Sequence, residues 1–181
     1  GLINCLELSG WSPIVVNRWD PCLARYYRLA GVRRMLYWDD VMAPASEALA
    51  EAAVDRFGSF EELLAFEWEG VRVGRFAAST MLRQLRLGSL DLGSPQIRRQ
   101  LGQAMANGMA AAEAARRIIR QVRPEVALFV DRGYTPHGEL FDRCLKEGID
   151  AITWYAAHRS NTLMFKRYTP NNQDEHPVSL S

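Results

Sequence analysis

Apolar and polar positions change rhythm along this chain, and the changes mark its elements. Short β-branched or aromatic runs bounded by turn residues recur at Ile14 to Asn17, Arg34 to Trp38, Val126 to Val130 and Ala151 to Tyr155. Each adjoins a stretch with helical spacing, and strands that alternate with helices in this way predict an α/β fold with an open, mostly parallel sheet. Asp20-Pro21, Ser94-Pro95 and Thr135-Pro136 each set a capping side chain before a proline suited to the first helical position. Ser59 and Glu62 have capping-box spacing ahead of an apolar run.

The longest helical pattern runs from Pro95 to Arg123. Ile97, Leu101, Met105, Gly108, Ala112, Ala115 and Ile119 recur at three- and four-residue steps on one face. Small residues on that face predict close packing against a sheet, and the arginines of the same stretch predict a solvated opposite face. The segment 43–93 reads as a helical insertion whose aromatics (Phe57, Phe60, Phe66, Trp68, Phe76) belong to the core. From Thr162 to Tyr168 apolar and cationic residues alternate, as in a short extended segment with one face buried. The composition then turns polar. Residues 1–168 are therefore read as one domain and 169–181 as a linker or the start of a second domain. A helix ended by Gly10 ahead of the first strand, and a start without Met, suggest a piece of a longer protein.

The chain's 181 residues can bury a real core. Its 22 basic residues are almost balanced by 21 acidic ones, so no overall field argues for nucleic acid as a partner. Cys5, Cys22 and Cys144 lack metal-ligand spacing and read as buried thiols of a reducing compartment. With no membrane-length apolar run and no signal peptide, the expected location is the cytoplasm.

Ligands of open parallel sheets bind beyond the carboxyl ends of the strands. Those ends carry Asn17, Arg18 and Asp20 after the first strand and Asp39-Asp40 after the second. Asp131, Arg132, Tyr134, His137 and Glu139 follow the third, and His158, Arg159 and Asn161 the fourth. In "DRGYTPHGE" Gly133 allows a sharp exit and a helix opens at once, so its free N–H groups favour an anionic or hydroxyl-rich ligand. His137 can act as general base near neutral pH, and Glu139 can do so if burial raises its pKa. Each also has a plain structural role open to it, as a surface residue or a complement to the helix dipole. Asp39-Asp40 reads more simply as a helix cap than as a metal pair. Neither a glycine-rich phosphate loop nor a nucleophile elbow occurs, which disfavours autonomous NAD chemistry and P-loop phosphoryl transfer.

The run "PEVALFVDRGYTPHGELFDRCLKEGIDAITW", followed by "HRSNTLMFKRY", resembles the N-terminal half of bacterial glycosyltransferases that build capsular and other surface polysaccharides. The resemblance is firmest from about Pro124 to Tyr168. It implies a Rossmann-like domain of the two-domain GT-B architecture, on the acceptor side, with no bound metal or cofactor. The implied partners are a nucleotide-sugar donor and a glycan or lipid-linked acceptor, with peripheral contact at the inner membrane. Tyr134 and Gly138 fit the family's turn, and His158, Arg159 and Asn161 its polar segment after the next strand. The resemblance does not assign the catalytic base; by position at the strand ends it would be His137 first, then Glu139 or His158. Arg18, Asp20, Asp131 and Arg132 would bind substrate with Tyr134, Gly138, Arg159 and Asn161. Two further readings stay open: a ligand-binding or scaffold domain without turnover, and a module whose arginine-rich helices dock a protein or an anionic membrane.

Overall fold

The computed structural model describes residues 2–157, 159 and 162–175; His158 and Asn161 lie outside the described residues. The chain divides into two compact units, Gly1–Met42 and Ala43–Ser181. In the first, α1 (Leu2–Leu8) precedes β1 (Val15–Asn17), α2 (Pro21–Leu29), β2 (Met35–Tyr37) and the single turn α3 (Trp38–Val41). β1 and β2 pair in parallel with Val15 opposite Met35. Asp20 starts α2 as its sequence predicts: Oδ1 accepts from the Leu23 backbone N–H at 2.8 Å, and Pro21 follows at the first helical position. The buried apolar residues of this unit are Ala24, Val32 and Trp38.

The second unit opens with four helices, α4 (Glu47–Val54), α5 (Phe60–Ala65), α6 (Val73–Leu85) and α7 (Pro95–Val122). β3 (Val126–Phe129), α8 (His137–Lys146), β4 (Asp150–Ala156) and β5 (Leu163–Tyr168) follow. The Ser59 hydroxyl accepts from the Glu62 N–H at 3.2 Å, while the Glu62 carboxylate accepts from the Gly58 N–H at 2.7 Å. The cap therefore closes one residue earlier than a standard capping box. The core gathers Leu63, Val73, Phe76, Met81, Leu101 and Met105 from α5, α6 and α7. The aromatics of 43–93 join or flank it, as expected. Gly108 marks a close approach in the helical layer: a Cβ there would stand 2.7 Å from Val73 Cγ1 and 3.1 Å from Glu139 Oε1.

The four predicted strands all form, but not the open, mostly parallel Rossmann-like sheet expected of them. They fall into two small sheets, β1-β2 and β3-β4-β5. β3 and β4 are parallel, whereas β5 returns antiparallel along β4, with Ala151 opposite Tyr168. The reason lies in what each edge meets. β1 and β2 are three residues long, and the chain after them condenses on its own apolar helix faces. The far edge of β4 is taken by β5, which needs no crossover helix to reach it.

Other expectations change with the sheet. α7 packs against α4, α6 and α8 rather than lying on a sheet, and its middle is buried on nearly every side. Arg98 is more than part of a solvated face: its guanidinium donates to the Val54 and Leu92 carbonyls at 2.8 and 3.1 Å. Pro136 precedes α8 instead of opening it, so the helix begins at His137. Ser46, not the Asp39-Asp40 pair, caps α4. Cys144 is buried, but Cys5 and Cys22 are exposed. Among the described residues no helix is long and apolar enough to cross a membrane.

Candidate functional site

A cavity of the second unit, about 600 Å³, opens between one face of α6, the loop leaving β3 and the turn after β5. Helical geometry sets its first wall. Arg72, Arg75, Ser79 and Arg83 are spaced three, four and four residues apart, which aligns them along one side of α6. Val73, Ala77 and Met81 occupy the opposite side and are buried in the core.

Arg72 is the best-anchored of these cations. Its Nε and Nη2 donate to the two oxygens of Asp142 on α8 at 2.8 and 2.6 Å, and its backbone N–H reaches Asp142 Oδ2 at 3.1 Å. The remaining Nη1 donates to Asp174 Oδ1 at 2.6 Å, and Arg75 Nη1 bonds the same oxygen. Burial alone would lower the Arg72 pKa, but the hydrogen bonds and charge of Asp142, and then of Asp174, hold it above the ordinary guanidinium value. Burial works in the other direction on Asp174, yet Arg72 and Arg75 hold its carboxyl below the usual range.

The second wall is the loop read as "DRGYTPHGE". Asp131 Oδ1 accepts from the Gly133 N–H at 2.9 Å, closing a side-chain turn, and the Thr135 N–H donates to Thr80 Oγ1 on α6 at 3.0 Å. The Arg83 guanidinium lies 4.5 Å from the Tyr134 ring centre, with Asp131 at 3.4 Å. Arg132 stacks 4.3 Å from the Tyr168 ring and donates to the Gln173 and Glu175 carbonyls at 2.6 and 2.7 Å. The last two bonds tie the turn 169–175 to the cavity rim.

Of the residues singled out from sequence, Asp131, Arg132 and Tyr134 come together at this cavity. Gly138 and Glu139 lie beneath it. A Cβ on Gly138 would meet the Phe76 ring at 2.3 Å, so only glycine lets α8 approach α6 here. Glu139 is fully buried; the Thr135 hydroxyl donates to its Oε1 at 2.7 Å, and among the described residues Oε2 finds no hydrogen-bond partner. Burial first, and the nearby Asp142 charge last, push its pKa up to about 8 despite the Thr135 bond. At neutral pH it keeps its proton. His137 is partly exposed at the start of α8, and neither it nor Glu139 lines the cavity. Arg159 is exposed.

Arg18 and Asp20 belong to the first unit. Arg18 is exposed, and Asp20 is engaged in capping α2. This unit has its own cavity of about 510 Å³, lined by Trp19, Tyr37, Asp39 and Asp40. Trp19 meets Tyr37 edge-on at 4.9 Å and donates its backbone N–H to Asp39 Oδ2 at 2.6 Å. Among the described residues no three His, Cys, Asp or Glu side chains gather where they could hold a metal ion.

Arg72, Arg75, Arg83 and Asp174 were absent from the sequence-based set. The three- and four-residue spacing of the α6 polar residues was the readable signal for the arginines. Asp174 carried none, because it reached the cavity only through the pairing of β5. Comparison with known proteins finds no matching family model, no matching curated protein and no matching solved structure.

Proposed function

We propose that this chain is the ligand-binding part of a glycosyltransferase of bacterial surface polysaccharide synthesis, acting at the cytoplasmic face of the membrane. One observation carries the reading: an arginine-lined cavity with an aromatic ring on its rim opens at the end of β3, in the segment whose sequence resembles surface-polysaccharide glycosyltransferases. Guanidinium groups suit phosphate oxygens, and a ring suits the apolar face of a sugar or base. Arg75 and Arg83 would hold the phosphates of a nucleotide-sugar donor, a donor-side role in place of the acceptor-side one that the resemblance implies, and Tyr134 would pack against its ring. In the transfer, an acceptor hydroxyl oxygen bonds the anomeric carbon as the carbon–phosphate-oxygen bond breaks. The nucleoside diphosphate leaves with the electron pair, and the hydroxyl proton passes to Asp131, the carboxylate at the rim.

Calorimetric titration with uridine- and guanosine-diphosphate sugars tests the binding step. Each should bind where the free sugar does not, and Arg83→Ala should weaken binding roughly tenfold, the effect of losing one charge-assisted contact. No binding by any nucleotide sugar overturns the reading. Binding without turnover is a second reading, favoured by the exclusion of both His137 and Glu139 from the cavity lining. Sugar release or transfer measured on the same samples, absent in this case, would select it.

A further inference from the structure

The turn Thr169–Glu175 looks like a connection, yet it places a carboxylate where a ligand anion would sit. Asp142 satisfies two donors of Arg72 from a buried position, with side-chain exposures of 15% for the arginine and 5% for the aspartate. This pair fixes the guanidinium plane and leaves Nη1 aimed at the cavity. Asp174 accepts from that Nη1 and from Arg75 through one oxygen, while its own side chain stays 59% exposed. The two halves of this contact differ in kind: a buried, bidentate anchor on one side and a solvent-facing carboxylate on the other. Exposed ion pairs contribute little to stability, so releasing the Asp174 carboxylate itself costs little. Lifting the turn also exchanges the Arg132 bonds to the Gln173 and Glu175 carbonyls and the Lys166–Glu175 pair for water.

Charge points the same way. Arg72, Arg75, Arg83 and Arg132 surround the cavity, opposed by Asp131, Asp142 and Asp174. With Asp174 removed, four guanidinium groups face two carboxylates, a balance suited to a dianionic phosphate. The turn starts from a firm point, since Tyr168 is buried against Phe141 and Arg132, and it is braced internally by the Thr169 N–H···Oδ1 bond of 2.7 Å to Asn172.

We propose that Arg72 and Arg75 form a phosphate subsite and that Asp174 is its internal occupant, which a ligand phosphate displaces by lifting the turn 169–175. The inference rests on the reading above in taking this cavity as the ligand site, but not on sugar transfer. An internal competitor lowers apparent affinity by the fraction of time the subsite is closed. Removing the charge of Asp174 should therefore expose the subsite.

The test titrates the chain with inorganic pyrophosphate. Asp174→Asn should bind it roughly tenfold more tightly than the parent chain, and Arg75→Ala in the same background should abolish the gain. Amide hydrogen exchange in 169–175 should quicken when pyrophosphate is added to the parent chain. Equal or weaker binding by Asp174→Asn, with an unchanged melting temperature, overturns the proposal and makes Asp174 a clasp for the turn 169–175. Slower exchange in the turn on adding pyrophosphate overturns it as well. Pyrophosphate results of the expected kind stand even if no nucleotide sugar binds, so this inference and the transferase reading can fail separately.

Discussion

Gly1–Met42 and Ala43–Ser181 each contain a strand, a helix and a second, parallel strand. They use one local grammar to opposite effect. In the first, β1-α2-β2, the strands are three residues long and α2 buries one residue, Ala24. Leu23, Tyr26 and Leu29 of the same helix are exposed. In the second, β3-α8-β4, eight residues of α8 are buried, and β4 is extended by β5 on its other edge. Parallel strands need cover on both faces. In the second unit α8 covers one face of β3 and β4 and is itself backed by α6 and α7. The lesson is that a strand–helix–strand pattern predicts pairing, while the surrounding layers decide how much core it acquires.

The contrast breaks most sharply at Phe141. It is fully buried and packs edge-on to Phe129 and Tyr168 at 5.5 and 5.3 Å. Phe141→Ala should cost about 3 to 5 kcal/mol in denaturant unfolding. A loss below about 1 kcal/mol would mean that α8 is no better packed than α2.

Glu139 gives the next effect, through pH. Its folded value of about 8 lies above the ordinary 4.5, so the folded state holds a proton that the unfolded chain releases first. The stability linked to this carboxyl is fully present below the unfolded value and is lost as pH climbs toward 8. The slope is at most about 1.4 kcal/mol per pH unit. Glu139→Gln should flatten unfolding free energies measured between about pH 5 and 8. An unchanged profile in the variant would trace the dependence to another group. The smallest effect belongs to α2: Leu23→Ala should stay within about 0.5 kcal/mol of the parent chain in the same denaturant assay.

Local signals were the most legible. The strand runs, the Asp20-Pro21 start and the long helix from Pro95 all appear close to where their residues predict them. The lining of the candidate cavity was half legible. Asp131, Arg132 and Tyr134 could be found because strand ends and sharp turns carry local marks. Arg72 and Arg75 sat in a stretch read as a structural insertion, and Asp174 in one read as a linker. Glu139 was visible as a residue, but its enclosure was not: burial depends on Gly108 letting α7 approach Val73 and Glu139, and on Gly138 letting α8 approach α6.

The order of residues determined by itself which segments are strands and helices, because 2.0 and 3.6 periodicities and capping side chains act within a few positions. Tertiary structure alone decided that the strands form two small sheets rather than one, and that β5 turns back along β4. It also decided that residues 70 and more positions apart, Arg72 with Asp142 and Asp174, are bonded together. Such pairings depend on which apolar faces find cover and which sheet edges remain open. Those are properties of the packed chain, and no short window of sequence contains them.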